Sequence, residues 1–144
     1  MERKAVKHFR DRNVVMGTFH NDAFSSTLRI VVFPFGKIDN RFFRRVCHVK
    51  GFEYPTEYVC YGVTVEDADT NTDNILLQRT KEGAVYADVA CHEATHAVLN
   101  VHARLHQKIL TEPGSDEFTA SLMGCAFNTI YAMLVRYRIP LIVG

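Results

Sequence analysis

Residues 89–101, VACHEATHAVLNV, combine side chains that can bind a metal ion with one that can move a proton. His92 and His96 are four residues apart, and Glu93 directly follows the first histidine. On an α-helix the two histidines lie about 40° apart around the axis and roughly 6 Å apart along it, so both imidazoles can bind one zinc ion. Glu93 lies about 100° from His92, where its carboxylate can accept a proton from a water on that metal. The spacing predicts a hydrolytic metal centre with His92 and His96 as ligands and Glu93 as base.

A third protein ligand is expected from a later part of the chain. Glu117 follows His96 by 21 residues and falls in the first turn of a second predicted helix, after a Pro-Gly break. Ser115 or Asp116 can cap that helix. A short connection makes two helices antiparallel neighbours, so Glu117 can return to the histidines. Asp116 and Glu112 are the alternatives for this third ligand.

HEATHAV followed by Glu117 resembles the pattern of gluzincins, the branch of zinc metallopeptidases that includes thermolysin. The resemblance covers residues 88–124. It implies that one Zn²⁺ ion is held by His92, His96 and Glu117. It also implies that Glu93 activates a zinc-bound water, which then hydrolyses a bond in a peptide or protein substrate.

The short chain is most similar to the minimal zincins of bacteria and phages. In those proteins an edge strand precedes the active-site helix and aligns an extended peptide. Residues 74–80, NILLQRT, occupy the corresponding place in the sequence. The resemblance therefore implies that this segment is an edge strand whose unpaired backbone groups bind substrate.

The sequence departs from the thermolysin-like pattern at two supporting positions. Ser121 stands where these enzymes carry an aspartate that orients the first zinc histidine, so Asp116, Asp88 or a backbone carbonyl would have to provide that contact. No residue matches by motif the Tyr or His that stabilises the oxyanion. His106 and Tyr86 are the candidates for this role because they flank the histidines on the predicted helix.

Length and composition favour a single globular domain comprising residues 1–144. Hydrophobic residues make up 47% of the chain and charged residues 23%, which suits a packed core rather than disorder. The four cysteines form no CxxC pair, which favours free thiols. No apolar run is long enough to span a membrane and the N-terminus lacks the apolar core of a secretory signal, so a cytoplasmic protein is expected.

The predicted fold class is α+β and zincin-like, with a small N-terminal β-sheet followed by the active-site helix and a C-terminal helix. Five segments rich in β-formers are interpreted as parts of the β-rich half: RNVVMGTF, STLRIVVFPFG, RRVCHVKG, EYVCYGVTVE and NILLQRT. A loop is expected at residues 66–74. Helix formers then dominate residues 81–107, and the last helix runs from the Ser115–Asp116 region towards Pro140.

Charge is distributed unevenly along the chain. Residues 1–50 contain 11 Lys and Arg against 4 Asp and Glu, and residues 51–144 contain 6 against 12. The simpler interpretation is that a basic layer packs beside an acidic one. The alternative function is a catalytically inactive, zinc-binding zincin-fold module that binds a protein or a nucleic acid. Its contact residues would be Arg41, Phe42, Phe43, Arg44, Arg45 and Lys50.

A purely structural interpretation of the histidine helix is also possible. His92 and His96 would then be packed core histidines, but this leaves Glu93 and two imidazoles partly buried without partners, which costs free energy. His102 is interpreted as a packing or helix-end residue. Small residues at 120, 121 and 124 are expected to let the last two helices approach each other closely.

Overall fold

The computed structural model describes residues 2–9, 13–21, 25–105 and 116–144. The strands are β1 (Glu2–Phe9), β2 (Val14–Asn21), β3 (Ser26–Phe33), β4 (Gly62–Asp67), β5 (Thr72–Gln78), β6 (Val85–Tyr86) and β7 (Leu141–Ile142). The helices are α1 (Asn40–Cys47), α2 (Ala87–Arg104) and α3 (Glu117–Arg136), and a 3-10 turn, Ala68–Thr70, separates β4 from β5. The protein is therefore a mixed α+β fold, as the sequence predicts.

Five strands form one sheet in the order β1-β2-β3-β5-β4. β1, β2 and β3 are antiparallel neighbours, β3 and β5 run parallel, and β4 is antiparallel to β5. Strand β5 therefore lies inside the sheet, and β4 lies at its edge. A separate parallel pair, β6 with β7, places Val85 opposite Leu141 and brings the C-terminal segment to the start of α2.

Helices cover both faces of the five-stranded sheet. Side chains alternate along the central strands, so Ile30 and Ile75 pack towards α2 and α3 while Val31 and Leu76 pack towards α1. Both central strands are apolar on both faces because both faces are covered. The sheet thus separates the helix that carries the histidines from α1.

Two sequence predictions about the β-rich half are wrong. RRVCHVKG was expected to be extended, yet its first residues belong to α1, where Asp39 accepts a hydrogen bond from the Phe42 amide and caps the helix. The helix buries Phe42 and Phe43 against the sheet, so neither ring is available to contact a nucleic acid. NILLQRT belongs to strand β5 as far as Gln78, with Arg79 and Thr80 beyond its end, but this strand lies inside the sheet rather than at its edge.

A buried ion pair fastens the end of α2 to the sheet. Arg104 contacts Asp73 Oδ2 at 2.7 Å and Glu66 Oε2 at 2.8 Å, and Asn100 donates to Asp73 Oδ1 at 2.8 Å. Burial raises the pKa of Asp73, and the hydrogen bonds from Arg104 and Asn100 oppose that rise. The last turns of α2 are therefore attached to β4 and β5 by charged groups as well as by apolar packing.

Helix α3 packs beside α2 on the same face of the sheet. Leu122, Ile130 and Leu134 point into the shared core, whereas Ser121 and Gly124 are exposed, and a Cβ at Gly124 would meet no atom within 4 Å. The small residues therefore do not form the expected helix–helix contact.

By length and mean hydropathy, 1.5, α3 is the one helix in the described residues that could cross a membrane. This is weak evidence, because core helices of soluble proteins meet the same criterion.

Candidate metal centre

The position of α2 on the sheet decides which of its side chains reach solvent. Its buried arc includes Ala90, Ala94, Ala97 and Val101, which pack on the sheet and on α3. His92 and His96 are both on the exposed arc. The histidines are therefore open to a ligand from solution, which excludes their interpretation as packed core residues.

The two histidine rings converge on one point. Their Nε2 atoms are 3.1 Å apart, and the rings are inclined by 74° with centroids 4.8 Å apart. Two nitrogens each about 2.0–2.1 Å from a tetrahedral zinc ion lie roughly 3.3 Å from each other. The imidazole pair thus already has nearly the separation that two ligands of one zinc ion require. The same distance also suits a hydrogen bond between one protonated and one unprotonated Nε2.

Glu93 lies on the buried side of α2, with 5% of its surface exposed. The Thr64 hydroxyl donates to its Oε2 at 2.5 Å, and the same hydroxyl is 3.1 Å from the backbone oxygen of Glu93. A buried carboxylate needs such a donor, since an unpaired polar group in this position would cost free energy. Thr64 therefore determines where the proposed base is held.

Strand β4 presents its polar side chains to α2. Thr64 contacts Glu93 and Glu66 contacts Arg104, while Gly62 lies so close that an added Cβ would come within 2.6 Å of Val89 Cγ1 and 2.9 Å of Glu93 Cγ. The alternate residues of the strand pack on the opposite face of the sheet. The alternation of residue types in GVTVE predicts that this strand has one polar and one apolar face. It does not predict which helix packs on the polar face.

The edge of the sheet nearest the histidine helix is β4. It pairs with β5 on one side and with no strand on the other among the described residues. Because β5 is enclosed by β3 and β4, its backbone groups are already used in the sheet. Any strand addition beside the histidines would therefore have to use β4 instead of NILLQRT.

Glu117 begins α3, as predicted, and its side chain is exposed. Ser121 Oγ is 3.5 Å from its Oε1, and the next residues of the helix, Phe118 and Thr119, contact His102. Within the described ranges no three His, Cys, Asp or Glu side chains are grouped closely enough to hold a metal ion. The structure thus brings His92 and His96 together without adding Glu117 to them. Residue 112, the alternative ligand, lies outside the described residues.

The candidates for the oxyanion role and the remaining histidine have distinct surroundings. Tyr86 immediately precedes α2, and its ring packs edge-on against Tyr61 at 4.9 Å between centroids. His106 lies outside the described residues. His102 is buried, with 3% of its surface exposed, and its Nε2 is 3.0 Å from Thr119 Oγ1. Of the two interpretations given for His102, a packing or a helix-end residue, the structure therefore supports the packing role.

The sequence reasoning identified the histidines and Glu93 but missed Thr64 and Gly62. Neither residue belongs to a motif, and both reach α2 only because β4 pairs with β5 in the observed register. No protein family model, no curated protein and no solved structure matches this chain. The function therefore has to be inferred from the chemistry of the site itself, which comprises His92, His96, Glu93 and Thr64.

Proposed function

We propose that the protein is a zinc-dependent metallopeptidase of the zincin type. The observation that carries the proposal is the convergence of His92 Nε2 and His96 Nε2 to 3.1 Å on the exposed arc of α2, with Glu93 as the residue that follows His92 in sequence. Two imidazole nitrogens suit a zinc ion, and the carboxylate suits a general base. The resemblance of HEATHAV to the gluzincin motif agrees with this chemistry.

His92 and His96 would hold the ion through Nε2, and we propose Glu117 as the third ligand because it begins the helix that packs beside α2. When bound, zinc would act as a Lewis acid and would lower the pKa of a water molecule bound to it. Glu93 would accept a proton at its carboxylate and deliver it to the leaving amine. The Thr64 hydroxyl would keep that carboxylate oriented throughout.

The substrate would be a peptide or protein in extended conformation, and β4 is the strand that could receive it. Its outer edge carries no strand partner in the described part of the sheet, and it lies directly beside Glu93. Backbone hydrogen bonds along this edge would bind a substrate strand with little dependence on its side chains. We also propose that the protein acts in the cytoplasm.

The proposal is tested by metal analysis together with a peptide-cleavage assay. We expect one zinc ion per chain in the wild type, and loss of zinc in His92→Ala and in Glu117→Gln. Glu93→Gln should keep the zinc but lose about 100-fold or more of the cleavage rate, because the base contributes on the order of 10²–10⁴-fold.

Asp116→Asn is the matched control for Glu117→Gln, since the two carboxylates are adjacent in sequence. If Asp116→Asn removes the zinc and Glu117→Gln does not, the ligand assignment is wrong. Wild-type protein without zinc would contradict the metal centre. One bound zinc with no cleavage in a broad peptide library would instead support the zinc-binding module without activity.

A further inference from the structure

The outer side of α1 carries a row of positive charges. Arg41, Arg44 and Arg45 are exposed and follow the i, i+3, i+4 spacing that places side chains on one side of a helix. Lys50 is exposed three residues beyond the end of the helix. We call Arg41, Arg44, Arg45 and Lys50 the basic face.

The charges of the basic face are not neutralised within the described part of the protein. The ion pairs seen among those residues both involve Arg104, on the other side of the sheet. Two carboxylates lie near the helix. Asp39 uses Oδ1 to accept the Phe42 amide proton, and Glu53, whose neighbour Tyr54 donates its backbone N–H to Asn40 Oδ1, forms none of the ion pairs seen in the described residues. Four cations are therefore available to an anionic partner.

Two of the arginines are held in place by their own helix. Arg44 Nε lies 3.3 Å from the backbone oxygen of Asn40, and the Arg45 guanidinium carbon is 5.8 Å from the centre of the Phe42 ring. Such contacts reduce the rotamer freedom that binding would otherwise remove. A guanidinium also matches a phosphate group with two parallel hydrogen bonds.

The burial of the phenylalanines narrows the class of partner. Phe42 and Phe43 are 3% and 1% exposed and contact each other and the core, so α1 offers no aromatic ring on which an unpaired base could stack. It also offers no exposed apolar side chain to insert into a lipid surface. What remains is recognition of closely spaced phosphates, as on the backbone of a nucleic acid duplex.

We propose that the basic face of α1 binds the phosphate backbone of duplex nucleic acid without sequence preference. The five-stranded sheet separates α1 from His92 and His96, which lie on the exposed arc of the helix on the opposite face. The surface is thus independent of the metal centre, and the inference stands whether or not the protein is a peptidase.

The test is fluorescence anisotropy of a labelled 20-base-pair DNA duplex of arbitrary sequence, titrated with the full chain between 50 and 300 mM NaCl. We expect the logarithm of the binding constant to fall linearly with the logarithm of salt concentration. The triple variant R41Q/R44Q/R45Q should lower that slope by about 2.7, at about 0.9 per lost phosphate contact.

The matched control is K81Q/R136Q/R138Q, which removes the same net charge from exposed positions outside α1. It should retain the wild-type slope. If both triple variants weaken binding equally, general charge attraction explains it and the proposal fails. No wild-type binding at 50 mM NaCl, or binding to phosphatidylserine vesicles but not to DNA, would also overturn it. Should the α1 variant not fold, the single variants R41Q and R44Q should each lower the slope by about 0.9.

Discussion

Glu93, the proposed base, is a buried carboxyl group that one hydroxyl group contacts. The carboxylate lies on the buried arc of α2, and the Thr64 hydroxyl donates to it from the neighbouring strand. A hydrogen bond to a charged group contributes about 1.5–3 kcal/mol, more than one between neutral groups. The same contact that stabilises the fold therefore also orients the proposed base.

For the proposed peptidase, replacing the Thr64 hydroxyl should slow peptide hydrolysis without disturbing zinc binding. In Thr64→Val the side chain keeps its shape but loses the donor, so we expect kcat to fall about tenfold, equivalent to about 1.4 kcal/mol, with KM unchanged. Steady-state kinetics and zinc analysis of the same preparation provide the measurement. Thr64→Ser, which restores the hydroxyl, should recover most of the rate, whereas equal loss in both variants would assign Thr64 a packing role.

At the scale of elements, the sequence predicted which segments form the main strands and helices better than it predicted where each strand lies in the sheet. β2, β3, α2 and α3 were predicted because apolar periodicity and turn residues are local signals. α1 was not, since Val and Phe in RRVCHVKG and the residues before it suit a strand as well as a helix. NILLQRT was expected at the edge of the sheet, yet β5 lies inside it, where ILL is apolar on both faces as an interior strand is.

Some residues of the candidate site could be predicted from the local sequence, and others depend on contacts between distant segments. His92, Glu93 and His96 could be predicted because five consecutive residues on one helix determine their relation. Thr64 and Gly62 could not, since their contact with α2 depends on the register of β4 against β5, about ten residues further along the chain. Contacts between elements, rather than motifs, complete the surroundings of the proposed base.

The close approach of β4 to α2 should tolerate no side chain at Gly62. In Gly62→Ala the new Cβ would lie 2.6 Å from Val89 Cγ1 and 2.9 Å from Glu93 Cγ, so we expect the free energy of unfolding to fall by about 1–3 kcal/mol. Urea denaturation followed by circular dichroism measures this change. Gly124→Ala is the control, because nothing lies within 4 Å there and alanine favours a helix by about 1 kcal/mol. A stable Gly62→Ala protein would show that β4 and α2 are not this close.

At the scale of the whole molecule, the sheet divides the protein into two sides with different chemistry. The side covered by α2 and α3 carries the histidines and Glu93, and the side covered by α1 carries the basic face. Cys47, the last residue of α1, points into the core with no exposed surface, and burial raises the pKa of its thiol from 9.0 to about 12. The reactivity of the Cys47 thiol therefore indicates whether the whole domain is folded.

Cys47 should react with a thiol reagent only when the protein unfolds, whereas Cys91, which is exposed on α2, should react at once. The higher pKa lowers the thiolate fraction of Cys47 at pH 8 from about one in ten to about one in ten thousand. The measurement is the labelling rate of the C60S/C91S/C125S variant, in which Cys47 is the remaining cysteine, at increasing urea concentration. That rate should follow the urea dependence of global unfolding, and fast labelling without urea would contradict the buried position.

The position of β5 between β3 and β4 also has a consequence for how the chain reaches its folded state. β4 and β5 are consecutive strands that pair as a local hairpin, but β5 enters the sheet beside β3, which begins more than forty residues earlier. Closing such a loop costs entropy before any contact compensates for it, which slows folding. Thr64 on β4 and Glu93 on α2 flank β5 in the chain, so their contact depends on local packing and can form before β5 pairs with β3.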